Sequence, residues 1–192
     1  MTTTMPQPRT ALPRERVTRA RLAVFVVFAL AGLVFASWAS RIADTKAALG
    51  LTPGELGATL LAASLGSVTG LPLAGRVSNR LGAGRTVAVG MSVALVGLVG
   101  VGVVVDLHGP RLVLAAGLYL VGLGVGLWDV AMNLEGATVE HVLDSSVMPH
   151  FHASFSGGTV VSALVGSMMS WAGVPLTLHF AGAVAVTVVL AL

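Results

Sequence analysis

The sequence has no cysteine and few charged residues. The absence of cysteine from all 192 residues excludes disulfide bonds, thiolate metal sites and cysteine nucleophiles. Charged residues make up 10% of the chain, whereas about 25% is usual in soluble domains. Hydrophobic residues make up 55%, and the mean hydropathy is +0.91. This composition predicts an integral membrane protein.

The basic residues separate apolar runs and do not form a surface stripe. A sequence pI near 10.6 is otherwise typical of nucleic-acid-binding proteins. Here one set of polar segments holds Arg9, Arg14, Arg16, Arg19, Arg21, Arg76, Arg80 and Arg85, and the opposite set holds Arg41, Lys46 and Arg111. This asymmetry is the pattern of membrane topology. It predicts a multi-pass membrane protein with a cytoplasmic N-terminus, and no nucleic-acid partner.

Continuous apolar runs predict an all-α membrane bundle of six helices. A bilayer core of about 30 Å needs about 20 helical residues, and five runs have that length. The sixth would reach only about 25 Å at a rise of about 1.5 Å per residue, so we expect a chain truncated within its sixth span. Residues 1–21 are predicted to be a disordered basic tail. The bundle covers 22–192, with spans at about 22–41, 53–76, 85–106, 110–138, 151–173 and 176–192.

Local signals mark one helix start and several helix contacts. Thr52, Pro53 and Glu55 have the spacing of a capping box with proline in the first turn. Small residues at every fourth position predict close packing between helices, and the same smooth faces would allow helices to rock. They are Gly122 and Gly126 in the fourth run, and Gly158, Ser162, Gly166 and Ser170 in the fifth. Hydroxyl groups expected to bond between helices are those of Ser154, Ser156, Thr159 and Ser162.

The stretch GLGVGLWDVAMN places an aspartate deep in the fourth run. Asp129 and Asn133 lie one helical turn apart and therefore share a face. A charged aspartate at mid-span costs roughly 2.5–3.5 kcal/mol on insertion scales, so this face should border a water-filled cavity or a partner. A carboxyl group that can be neutral or charged there could couple transport to protons. The alternative is a fixed hydrogen-bond network without turnover.

Three further side chains are candidates for solute contact. Trp38 and Arg41 can share a face near the end of the first run, and tryptophan often stacks on sugar-like rings. The alternative is an interfacial tryptophan beside a snorkelling arginine, and Arg41 can also pair with Asp44. His152 should lie at the inner mouth of a cavity, where imidazole can hydrogen-bond or carry protons. We find no metal, cofactor or catalytic motif and predict that the chain is not an enzyme.

The segment from Gly75 to Arg85 resembles the signature loop of the major facilitator superfamily. Gly75, Arg80, Gly82 and Arg85 match the family pattern, and the segment falls between the second and third spans, as it does in the family. Asn79 replaces the usual aspartate. In the family that aspartate caps a helix of the other half and pairs with an arginine, which latches one state. Asn79 could cap a helix but could not form the ion pair.

Three other stretches, WASRIADTKAALGLTPGELG, GLWDVAMN and HFHASFSGG, resemble a bacterial facilitator branch that includes rhizopine-transport-like proteins. Fucose permeases are more distantly similar. The resemblance covers 22–192 and implies the N-terminal half of a twelve-span transporter. Such a half contains two inverted three-helix repeats.

The resemblance implies proton-coupled secondary transport of a small polar, perhaps sugar-like solute by alternating access. Asp129 would carry the proton, and the segment from Gly75 to Arg85 would gate the inner face. Solute contacts would come from Asn133, Trp38, Arg41 and His152. The implied partners are the solute, protons, the bilayer, and a missing C-terminal half or a second copy. The alternatives are a non-transporting remnant or scaffold, and a six-span homodimer.

Overall fold

The protein is all-α over the residues that the structure describes. A computed structural model describes residues 14–192, and these contain helices and no strand. The helices are α1 (Arg14–Ala39), α2 (Ile42–Ala48), α3 (Pro53–Leu81), α4 (Ala83–Asp106), α5 (Arg111–Leu143), α6 (Met148–Trp171) and α7 (Leu176–Ala191). The predicted all-α bundle is confirmed.

The predicted disordered tail overlaps the described residues only in part. Its residues 1–13 lie outside them. Residues 14–21 are helical and form the first two turns of α1. No proline follows Pro13 in this part of the chain, and Glu15 lies in the first turn, where a carboxylate favours the helix start.

Four segments of the described chain are long and apolar enough to cross a membrane. They are Glu15–Ala48, Pro53–Leu81, Ala83–Asp106 and Arg111–Leu143. α6 is 24 residues long and occupies the predicted place of the fifth span, but it is not among these four segments. α7 is a shorter apolar helix of 16 residues. The spanning role of α6 and α7 stays a prediction.

The helix contacts follow a pattern of two repeats. α5 packs along α3 and α4, α1 packs along α6 and α7, and α4 contacts α7. If α1 is exchanged with α5, α3 with α6 and α4 with α7, the same set of helix contacts results. Arg41, just after α1, bonds to Val174 just before α7, and Asp106 at the end of α4 bonds to the start of α7. Because α5 runs antiparallel to α4, α5 begins at the side where α1 ends, so the two helices point in opposite directions. The predicted inverted three-helix repeats therefore describe the bundle.

Glycines allow the equivalent helix pairs to touch through their backbones. A Cβ atom on Gly122 would overlap the carbonyl oxygen of Ala63 on α3, and one on Gly158 would overlap the carbonyl oxygen of Ala29 on α1. Similar backbone overlaps occur at Gly32 and Gly66, whereas a Cβ atom on Gly166 would overlap the Ser40 side chain. The predicted close packing is confirmed, because only residues without a Cβ fit where the backbones meet.

Hydroxyl groups of α6 add polar bonds to the contact with α1. Ser162 donates to the carbonyl oxygen of Leu33 at 2.8 Å, and Ser154 donates to that of Phe25 at 3.1 Å. The bonds that were predicted for these two serines between helices are confirmed. The same prediction for Ser156 is wrong, since its hydroxyl bonds within α6. A serine on an exposed helix face satisfies its donor on the carbonyl four residues earlier.

The ends of the helices are fixed by side-chain caps. Thr52 and Glu55 form the predicted capping box at the start of α3. Asp106, at the end of α4, accepts backbone N–H bonds from the start of α7. Glu140, near the end of α5, does the same for the start of α6. These carboxylates satisfy donors that a helix start leaves unpaired.

Candidate functional site

Asp129 and Asn133 form one polar pair on α5. The Asn133 side-chain amide donates to the backbone oxygen of Asp129 at 2.8 Å and lies 3.4 Å from its Oδ1 atom. The Asp129 side chain is exposed among the described residues, and Asn133 is half-buried. The predicted shared face is therefore present, and its carboxylate is open on one side.

A glycine contact with α3 lies about one helical turn before the carboxylate. Gly126 packs against Ser67 and Gly70 of α3. Asp129 and Asn133 continue the same face of α5 toward the end of that helix. The face therefore changes within one helical turn from close helix packing to an accessible polar pair.

A small cavity of about 100 Å³ lies beside the carboxylate, where α1, α5 and α6 meet. Asp129 is its one charged lining residue, and the other lining residues are Ala31, Phe35, Val125, Trp128, Met132 and Phe155. Trp128 is buried, and its indole N–H has no acceptor among the described residues. The cavity thus combines one carboxylate with an aromatic and apolar wall.

His152 lies near the same place. Its ring packs edge-on against Phe28 with 5.3 Å between centroids, its side chain is exposed, and it lies within electrostatic range of the Asp129 carboxylate. The structure thus brings Asp129, Asn133 and His152 together at the junction of α1, α5 and α6.

Trp38 and Arg41 lie elsewhere, at the end of α1, and both are buried. Trp38 is 7% exposed and Arg41 is 2% exposed. Arg41 forms an ion pair with Asp44, as predicted, and its Nη2 donates to the carbonyl oxygen of Val174 at 2.7 Å. Asp44 also accepts a bond from Ser170 at 2.8 Å. These contacts tie the end of α1 to the turn between α6 and α7, and the contact of Trp38 and Arg41 with solute stays a prediction.

Sequence analysis missed the aromatic side chains of the cavity. The rings of Phe35 on α1 and Phe155 on α6 lie 6.4 Å apart. Their meeting depends on the packing of two helices that are far apart in the chain, so no local signal identifies them. The contact of α1 with the fifth predicted span, had it been inferred from the repeat, would have placed these rings together.

No metal centre is evident in the described part of the chain. Among residues 14–192, no group of three histidine, aspartate or glutamate side chains is placed to hold a metal ion. Two larger cavities, of about 610 and 280 Å³, include none of the predicted site residues in their linings.

Comparison with known proteins identifies the family. The chain is 32% identical over 166 residues to an uncharacterized MFS-type transporter of Yersinia pestis, which covers 86% of this chain and 42% of the relative. It is also 32% identical over 153 residues to an uncharacterized transporter of Sinorhizobium fredii, and this match covers 80% of this chain and 40% of the relative. The chain belongs to the major facilitator superfamily. It spans about two-fifths of the length of these facilitators.

Two other comparisons gave no match for this facilitator chain. No family model matches it, and no solved structure matches it. The family membership therefore rests on the two relatives, and the arrangement of α1 and α3–α7 as inverted repeats agrees with it.

The signature segment of this facilitator is mostly helical. A loop was expected from residue 76 onward, but α3 continues to Leu81, because no proline or glycine interrupts it between Gly75 and that residue. Gly82 alone separates α3 from α4, with φ 83° and ψ 157°. The segment residues predicted to gate, Gly75, Asn79, Arg80, Gly82 and Arg85, are all exposed. Their gating role stays a prediction.

Proposed function

We propose that this chain is one half of a proton-coupled transporter that moves a small polar solute by alternating access. The observation that carries the proposal is the open carboxylate of Asp129 on a helix apolar enough to span a membrane. An ionisable side chain in such a segment is a functional candidate by default, because charge is costly there. Family membership supports transport in general.

In this proposal Asp129 binds and releases the proton, and Asn133 and His152 contact the solute. Asn133 offers an amide next to the carboxylate, and the imidazole of His152 can hydrogen-bond or carry a proton. Trp38 and Arg41 remain proposed solute contacts that would require the end of α1 to open. The exposed segment from Gly75 to Arg85 would gate the side of the bundle at which α1 begins.

The second wall of the cavity would come from outside residues 14–192. We propose a second six-helix half of the kind that the longer relatives have room for, and a second copy of this chain is the alternative. The two halves would rock about the site. The proposed location is a bacterial inner membrane, with the start of α1 on the cytoplasmic side, where its arginines favour that orientation.

The test is solute uptake by the full-length protein in proteoliposomes with an imposed pH gradient. We expect Asp129→Asn to abolish accumulation, because an amide cannot take up and release the proton. Asp144→Asn is the matched control, since Asp144 is an exposed carboxylate at the end of α5, and it should leave uptake unchanged. Gradient-driven uptake that persists in Asp129→Asn and is still abolished by an uncoupler would overturn the proton role.

A further inference from the structure

The cavity beside Asp129 has one charged side chain in an otherwise apolar and aromatic lining. It is lined by one carboxylate, and three of its other side chains are aromatic: Phe35, Trp128 and Phe155. The chain has only ten Phe, Trp and Tyr residues, and three of the ten line this one small cavity. The wall is contributed by α1, α5 and α6, so it depends on the assembled bundle.

The Asp129 carboxylate has no cationic partner among residues 14–192. The ion pairs of this part of the chain are Arg41 with Asp44 and Arg111 with Glu55, and neither lies at the cavity. The Asn133 amide lies 3.4 Å from one carboxylate oxygen. His152 on α6 is the titratable side chain within electrostatic range, and the part of α1 that lines the cavity contributes none.

The aromatic wall and the carboxylate favour the same kind of ligand. The face of an aromatic ring carries negative electrostatic potential and attracts cations, most strongly when water is excluded. A carboxylate without a fixed counter-ion attracts a cation as well. An anionic solute would be repelled by Asp129, and a neutral polyol would gain no charge attraction from it.

We infer that the cavity binds the ammonium group of a small organic amine, with the carbons next to that group against the rings. The inference rests on the proposed transport function and specifies the solute class for its site. Pockets that enclose a drug-sized ligand measure about 300–1,000 Å³, so a cavity of about 100 Å³ takes only the charged end of the solute. The rest of the solute extends toward the open side of Asp129.

Because a proton and an ammonium ion bind the same carboxylate, they compete. Protonation of Asp129 removes the charge that the amine needs. Amine binding therefore weakens as the pH falls through the range in which Asp129 takes up its proton.

The test uses three probes of nearly equal shape with the full-length protein in lipid nanodiscs. Benzylammonium, benzyl alcohol and benzoate are positive, neutral and negative at neutral pH, and calorimetry measures their binding. We expect benzylammonium to bind at least about ten-fold more tightly than the other two. We expect Asp129→Asn to reduce that affinity by about ten-fold or more, and Phe155→Leu to reduce it several-fold.

Glu135→Gln is the matched control, because Glu135 lies on α5 and lines a different cavity. It should leave benzylammonium affinity unchanged. If Asp129→Asn does not fold, the unmodified protein still tests the inference, through a fall in benzylammonium affinity toward acidic pH that remains in His152→Gln. The absence of that fall would overturn it.

Two results separate this inference from the proposed transport function. Benzyl alcohol or a neutral polyol binding as tightly as benzylammonium would overturn the cation inference. Gradient-driven, Asp129-dependent uptake of a neutral solute would overturn it too and would leave the transport proposal standing. Tight, Asp129-dependent benzylammonium binding would support the inference even if transport itself failed.

Discussion

The carboxylate of Asp106 accepts a hydrogen bond from the backbone N–H of Thr177 at 2.8 Å. It accepts a second from Leu176 at 3.0 Å, so the last residue of α4 caps the first turn of α7. Glu140 repeats the arrangement with Met148 at 2.7 Å, at the start of α6. Because the N-terminal end of a helix dipole is positive, a carboxylate there is favourable. α6 and α7 are therefore positioned partly by charges that other helices carry.

Replacing Asp106 with alanine should loosen the start of α7. The variant loses both N–H acceptors, so we expect the free energy of unfolding to fall by about 1–2 kcal/mol, the usual loss for a helix cap. Asp106→Asn keeps an acceptor oxygen and should lose less. Denaturation in mixed micelles, followed by circular dichroism, measures the difference. Asp144→Asn, at an exposed left-handed position that asparagine tolerates, is the control. Equal stability of Asp106→Ala and the unmodified protein would contradict the capping role.

Adding a methyl group at Gly122 should separate α3 from α5. The new Cβ would overlap the carbonyl oxygen of Ala63, and overpacking of this kind costs about 1–3 kcal/mol. We expect Gly122→Ala to lower the denaturation midpoint by a corresponding amount. Gly157→Ala is matched to it, because a Cβ at Gly157 on α6 meets nothing within 4 Å. That control should be neutral or slightly stabilising, since alanine favours a helix by up to about 1 kcal/mol. A midpoint that falls equally in both variants would rule out the contact as the cause.

The helices and their close contacts could be predicted from the sequence, and much of the polar chemistry could not. Long apolar runs and the Thr52 capping box are local signals, and the structure has a helix at each place. α2 was not predicted, because its seven residues carry little periodicity. The burial of Arg41 depends on the carbonyl of Val174, which is 133 residues further along the chain. No reading of the residues around Arg41 could supply that partner.

The candidate site was predicted in one part and missed in another. Asp129 and Asn133 were identifiable because charge is rare in an apolar run and a separation of four residues is local geometry. The rings of Phe35 and Phe155 belong to different helices. In the sequence they look like ordinary apolar positions of two spans. Only the packing of α1 on α6 gives them a common role.

Gly82 should be intolerant of any side chain. Its φ of 83° and ψ of 157° lie in a region that is essentially restricted to glycine. We expect Gly82→Ala to destabilise the protein by about 1–3 kcal/mol or to change the angle between α3 and α4. Gly84→Ala is the control two residues away, since a Cβ there would be 3.7 Å from its nearest neighbour, Oε1 of Glu135. Thermal unfolding in detergent compares them, and a Gly82→Ala protein as stable as Gly84→Ala would show that the connection is not strained.

Arg41 and Asp44 should stabilise the protein as a pair, so that removing only one partner costs more unfolding free energy than removing both. Asp44→Ala leaves Arg41, whose side chain is 3% exposed, without its carboxylate. Breaking a buried pair costs about 3–5 kcal/mol, and we expect about 2–4 here because the Asp44 side chain is 30% exposed. Arg41→Met combined with Asp44→Ala should recover part of that loss, since no unpaired charge remains. A double-mutant cycle of unfolding free energies measures the recovery. Additive effects of the two single changes would mean that the pair does not stabilise the end of α1.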